Sequence, residues 1–196
     1  MKFDIKQNYK GIVIGGSAGS FQPITKILSK MPVDFPLPIF LCLHRLKHVR
    51  NGFVEALSIK STKKIVEPHN NQKINGELIY LAPANYHLAL EEGELISLST
   101  EGLVNNSRPS IDVMFESASY LYQDNLIGIL LSGANKDGAQ GMKHIKDKGG
   151  LTIVQEPSEC MIDTMPNAAL AVTKIDYVLK IDEIVSFLNE LNSHYK

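Results

Sequence analysis

Three residues of the chain have the types that acyl transfer needs: a hydroxyl at Ser17, an imidazole at His44 and a carboxylate at Asp137. Ser17 falls in Gly15-Gly16-Ser17-Ala18-Gly19, a G-x-S-x-G string of the kind that holds a nucleophile on a sharp strand-to-helix turn. A serine hydroxyl is a poor nucleophile near neutral pH. It needs a base to take its proton and return it to the leaving group, and a carboxylate to fix the base's tautomer. His44 and Asp137 have the chemistry for those two roles. The amides of Ala18 and Gly19, at the start of a helix, are candidates to stabilise an oxyanion.

Each residue also has a plainer reading. The glycine-rich turn could cradle a phosphate. A dinucleotide fingerprint fits poorly, because the register from Gly15 meets Ser17 and Ser20 where glycines belong, and no Walker lysine follows. His44 could be a strand-end histidine bonded to a carbonyl, and Asp137, before Gly138, could cap a helix. His44 and His48 are four apart, but Arg45-Leu46-Lys47 between them brings two cations and no carboxylate, so no metal site is expected. Cys42 lies in an apolar run and is read as a buried thiol.

These residues must be brought together by the elements before them. Gly11–Gly15, Pro38–Leu43 and Leu126–Leu131 are unbroken apolar runs, the signature of strands buried on both faces. Ser17, His44 and Asp137 each follow one of them, and in open parallel sheets the loops beyond the strands' carboxyl ends share a crevice. Helices are predicted over 21–30 (with Pro23 in the first turn), 53–59, from Ser110 as N-cap, 139–148, 167–172 and 184–191. Further strands are predicted at 64–67, 151–154 and 177–179, and an antiparallel meander at 78–82, 87–90 and 95–98. This alternation predicts an α/β fold: a three-layer, doubly wound, mostly parallel sheet with an antiparallel hairpin at one edge.

With 196 residues, 44% of them hydrophobic and 21% charged, the chain suits one packed domain. Lys and Arg total 20 against 21 Asp and Glu, which leaves no field to draw in nucleic acid or an anionic membrane. Two cysteines give no disulfide framework, and neither a secretory h-region nor a membrane-spanning apolar stretch is present, so a cytoplasmic location is expected.

Taken in order, Ile14–Gly19, Leu43-His44-Arg45, Tyr80–Pro83, Arg108-Pro109-Ser110-Ile111-Asp112, Ser132–Met142, Gln155–Ser158 and Met165–Ala169 resemble the catalytic domain of the chemotaxis protein-glutamate methylesterase (CheB) family. The resemblance covers about residues 11–191. It implies one catalytic domain without the receiver domain that usually precedes it, and needing no cofactor. It also implies demethylation of glutamyl methyl esters on the cytoplasmic helices of chemoreceptors, and deamidation of receptor glutamines by the same site. Ser17, His44 and Asp137 fall on the family's triad positions. Arg108, Ser110 and His87 also match, Arg108 as a candidate to meet an acidic receptor segment. Ala18 replaces the usual hydroxyl residue beside the nucleophile, and Ala134-Asn135-Lys136 replaces the usual methionine-glycine-asparagine before the acid. A degenerate binding module and an esterase for another methyl ester are the competing expectations.

Overall fold

The computed structural model describes residues 3–6, 8–45 and 52–196. His48, Leu46 and Lys47, considered above for metal binding, lie outside the described residues. In chain order the elements are β1 (Gly11–Gly16), α1 (Phe21–Lys30), β2 (Ile39–Leu43), α2 (Phe53–Ser58), β3 (Lys64–Val66), β4 (Gln72–Lys73), β5 (Leu78–Leu81), β6 (His87–Glu91) and β7 (Leu95–Ser99). They continue with α3 (Ile111–Tyr122), β8 (Leu126–Leu130), α4 (Ala139–Asp147), β9 (Leu151–Gln155), α5 (Thr164–Val172), β10 (Tyr177–Leu179) and α6 (Ile181–Ser193).

Seven strands form one parallel sheet in the order β10-β9-β8-β1-β2-β5-β3. The unbroken apolar runs are its centre: every residue of β1, β2 and β8 is buried. Such strands need cover on both sides, and their side chains alternate between two cores. Ile12 and Ile14 point into one core with Ile24, Ile27 and Leu28 of α1 and Leu188 of α6. Val13 points into the other, with Phe115 of α3, Met142 of α4 and Met165 of α5. That is the predicted doubly wound, three-layer arrangement.

The expected meander divides. β6 and β7 form the predicted antiparallel hairpin, in register from His87↔Ser99 to Glu91↔Leu95, but with β4 they make a separate three-stranded sheet. β5 instead pairs in parallel with both β2 and β3. The physical reason is its burial: Ile79, Tyr80 and Leu81 are fully buried in sequence, as a parallel strand covered on both faces requires, and Asn85 in left-handed backbone then redirects the chain.

The strand order places a topological switch between β1 and β8. The chain leaves β1 toward β2 and leaves β8 toward β9, so the loops after β1 and β8 part on opposite sides of a crevice, where open α/β sheets bind ligands. Ser17 is on the first loop and Asp137 on the second. β1 and β2 are paired up to Gly16↔Leu43, and His44 N–H donates to Gly16 O at 3.1 Å, so Ser17 and His44 emerge from neighbouring strand ends.

Candidate active site

The loop after β1 is held from both sides. Ser17 N–H donates to Ser132 O at 2.9 Å, and Ser20 donates to Ser17 O through both its amide (3.0 Å) and its hydroxyl (2.6 Å). Ser132 Oγ–H reaches Ala18 O at 2.9 Å. The two carbonyls are thus turned inward, and because C=O and N–H of a trans peptide point in opposite directions, the Ala18 and Gly19 amides are turned outward. Neither amide donates to any acceptor among the described residues. Gly19 has φ 83°, in the left-handed region, and a Cβ there would stand 2.7 Å from Ser132 Oγ.

Asp137 is fully buried. Its Oδ2 accepts from His44 Nε2 (2.8 Å) and Ile111 N (2.7 Å). Its Oδ1 accepts from Ser110 Oγ (2.8 Å), Asn105 Nδ2 (3.0 Å) and Asp112 N (3.1 Å). Burial alone would push this carboxyl up, but the bonds from His44, Ile111, Asn105 and Ser110 outweigh it and hold it below its ordinary value. The expected capping role is corrected in one respect. Gly138, not Asp137, is the N-cap of α4, while the Asp137 carboxylate receives the first two amides of α3. Ser110 is the N-cap of α3 as predicted, with Oγ accepting from Val113 N, and its hydroxyl proton goes to Asp137.

The imidazole's orientation follows from its partner. An ionised carboxylate only accepts, so Nε2 carries the proton and donates it, and Nδ1 keeps the free lone pair. In the familiar serine-protease arrangement the ring is turned the other way, with Nδ1–H on the carboxylate. Ser107 Oγ lies 3.5 Å from Nδ1. Ser17 Oγ forms no hydrogen bond to His44 in this state, but both residues line one cavity of about 450 Å³, with Ala18, Leu103, Ser107 and Arg108.

Arg108 lines that cavity, yet most of its donors are spent within the protein. Nε and Nη2 donate to Asn85 Oδ1, and Nη1 donates to the carbonyls of Thr100 and Glu101, both at 2.6 Å. The side chain therefore staples its loop to the hairpin, with one N–H of its five left over for a substrate. His87 is likewise structural: Nδ1 accepts from Ser110 N (3.2 Å) and Nε2 donates to Gly102 O (2.9 Å). The thiol of Cys42 is fully buried, and burial, reinforced by the charge of Asp137, pushes it well above its ordinary value, so it is no nucleophile.

Asn105 was not legible as a site residue from its spacing, since it precedes the Arg108–Asp112 motif in a stretch that reads only as a turn. Gly138 is also more than a helix boundary. Its φ is 91°, and a Cβ there would meet Leu130 Cδ1 at 2.6 Å and Ile111 Cγ2 at 2.8 Å. Gly138→Ala is therefore expected to cost on the order of 3 kcal/mol, from left-handed strain plus overpacking. It should also lower turnover by displacing the adjacent Asp137; chemical denaturation and steady-state rates on the same sample check both.

The CheB methylesterase family model matches residues 12–188. A Leptospira interrogans protein, named provisionally as a protein-glutamate methylesterase/protein-glutamine glutaminase, is 42% identical over 95% of this chain and 97% of its own length. An Archaeoglobus fulgidus protein of that name is 34% identical over 94% of this chain, and one from Clostridium acetobutylicum 31% over 89%. The chain spans about half the length of these two, 56% and 51%. Among solved structures, the Thermotoga maritima CheB methylesterase catalytic domain superposes with a TM-score of 0.88 at 28% identity, over 93% of this chain and 98% of that one. With the switch-point crevice, the caged carboxylate and a family match over nearly its whole length, the chain belongs to the CheB methylesterase family.

Proposed function

We propose that this chain is a serine esterase that removes methyl groups from glutamyl side chains of methylated chemoreceptors, with Ser17 as nucleophile, His44 as base and Asp137 as orienting carboxylate. The observation that carries the reading is the His44 Nε2–Asp137 bond of 2.8 Å, with the carboxylate caged by five donors and His44 itself lining the cavity that holds Ser17.

Nδ1 of His44 takes the proton from Ser17 as Oγ attacks the ester carbonyl. The negative charge that develops on the carbonyl oxygen is met by the outward amides of Ala18 and Gly19. The tetrahedral intermediate collapses, the C–O bond to the methoxy group breaks, and His44 returns its proton to release methanol. Water then attacks the acyl-enzyme with Nδ1 again as base, giving a free glutamate and restoring Ser17. A glutamine side chain follows the same path with ammonia as the leaving group, which is the second activity named for the relatives.

Action on the cytoplasmic helices of a receptor would put this work in the cytoplasm. No helix among the described residues is long and apolar enough to cross a membrane. Arg108, with its single spare N–H, is a minor contributor to substrate binding in this scheme. Methanol release from a methylated receptor helix, compared with release from small methyl esters, tests the proposal. Preference for the receptor helix is expected. Turnover of small esters alone would reassign the substrate, and phosphate binding without any turnover would favour a non-enzymatic module.

A further inference from the structure

The segment before Arg108 is a tight turn. Val104 and Ser107 exchange backbone bonds of 3.2 and 2.9 Å, and both residues between them, Asn105 and Asn106, have left-handed backbone with φ 49° and 60°. Two successive positive φ values are what a two-residue type I′ connection demands, and asparagine tolerates them best after glycine. From this turn the Asn105 side chain reaches inward. Its Nδ2 donates to Asp137 Oδ1 at 3.0 Å and to Asp112 Oδ2 at 2.7 Å, using both of its N–H groups on two different carboxylates.

A buried carboxylate, Asp137, and a half-buried one, Asp112, bridged by one neutral amide, repel each other. Burial pushes the Asp112 carboxyl up and the charge of Asp137 adds to it, against bonds from Gly141 N and Asn105. The neighbouring cations do not relieve this. Neither arginine donates to Asp112 or Asp137: Arg108 bonds Asn85, Thr100 and Glu101, and Arg45 bonds Glu67 and Ala82 O through Nη2, its Nε and Nη1 finding no partner among the described residues. Other titratable groups on packed elements are neutral or paired elsewhere: Cys42 on β2 is held as a thiol, His87 on β6 has both ring nitrogens occupied, and on α4 Lys143 pairs with Asp147 and His144 with Glu116 of α3. Lys136, in the loop leading to Asp137, is solvent-exposed.

We infer that Asn105 is a positioning residue for the esterase: its amide holds the Asp137 carboxylate in place beside Asp112, and so fixes the imidazole of His44 that the carboxylate orients. The inference rests on the Ser17–His44–Asp137 reading given above. Without the amide, Asp137 loses one of its five donors and faces Asp112 unbridged, so the group that orients the imidazole is less fixed and its charge less shared, and labelling is expected to fall most at acidic pH.

Asn105→Gly removes the side chain while keeping a residue suited to the left-handed backbone, and Asn105→Asp keeps shape and turn preference but swaps donor for acceptor. The readout is the rate at which a fluorophosphonate labels Ser17 as a function of pH, which does not depend on the identity of the ester substrate. Asn105→Gly is expected to fold but to melt below wild type, having lost two bonds to carboxylates, to label about tenfold more slowly at neutral pH, the scale of other groups that orient an active-site ligand, and to show its acidic limb at higher pH. Asn105→Asp should be slower still. An Asn105→Gly profile that superposes on wild type, or falls uniformly with its acidic limb unmoved, overturns the positioning role while leaving the triad intact. Absence of labelling in the wild type at every pH overturns the triad reading and this inference together.

Discussion

Ser17→Ala is expected to lower methanol release from a methylated receptor helix by on the order of 10⁴-fold or more, with the melting temperature little changed. The size follows from what the hydroxyl does. Without it no acyl-enzyme forms, and the Ala18 and Gly19 amides, with substrate binding, leave only the residual acceleration seen when one member of a catalytic unit is deleted. The fold should tolerate the change because the loop is held through backbone atoms of Ser17, its N–H on Ser132 O and its C=O under Ser20, and not through Oγ. A steady-state methanol assay beside a thermal melt makes the comparison. A variant that turned over within tenfold of wild type would remove Ser17 from the mechanism.

Asp137→Asn should damage both activity and fold. The native carboxylate accepts from five donors with two oxygens, whereas an amide has one oxygen and presents N–H groups in place of the other. If the nitrogen replaces Oδ2 it faces Ile111 N–H and the His44 Nε2 proton, which forces the wrong imidazole tautomer. If it replaces Oδ1 it faces the donors of Ser110, Asn105 and Asp112. Turnover should fall on the order of 10⁴-fold, as when a triad carboxylate is made an amide. Stability should fall by about 3 kcal/mol, because buried donors lose a charged partner.

The same carboxylate makes stability depend on acid. Its folded value is held below the ordinary carboxyl range, so the unfolded chain binds its proton more readily. The stabilisation is therefore complete above the unfolded-state value, and it is lost as pH falls through the folded one. Asp137→Asn should flatten that acidic loss in denaturation series collected across low pH.

Much of this was legible in the sequence because burial leaves a strong mark. The runs at Ile12–Ile14, Ile39–Leu43 and Leu126–Leu130 have no polar interruption, which only strands covered on both faces allow; Ser17 and His44 come at the ends of the first two, and Asp137 closes the loop after the third. Ser110 could be read as a cap from the amphipathic run behind it. The position of β5 was less accessible. Its pairing with β2 and β3 is a long-range choice, and its closeness in sequence to β6 made an antiparallel partner look natural. The second role of Asp137 was hidden for the same reason: the helix it caps, α3, begins 26 residues before it in the chain. Asn105 carries a turn signal in its own residue type, and nothing local records that the turn delivers its amide to two carboxylates.

The orientation of His44 is the most specific feature of the account, and a crystal structure of the chain after reaction with a fluorophosphonate tests it directly. The account predicts phosphorus bonded to Ser17 Oγ, the phosphoryl oxygen against the amides of Ala18 and Gly19, and His44 facing the adduct through Nδ1 while Nε2 stays on Asp137. A label on any other side chain, or an imidazole too far from the adduct to have taken the serine proton, would contradict it.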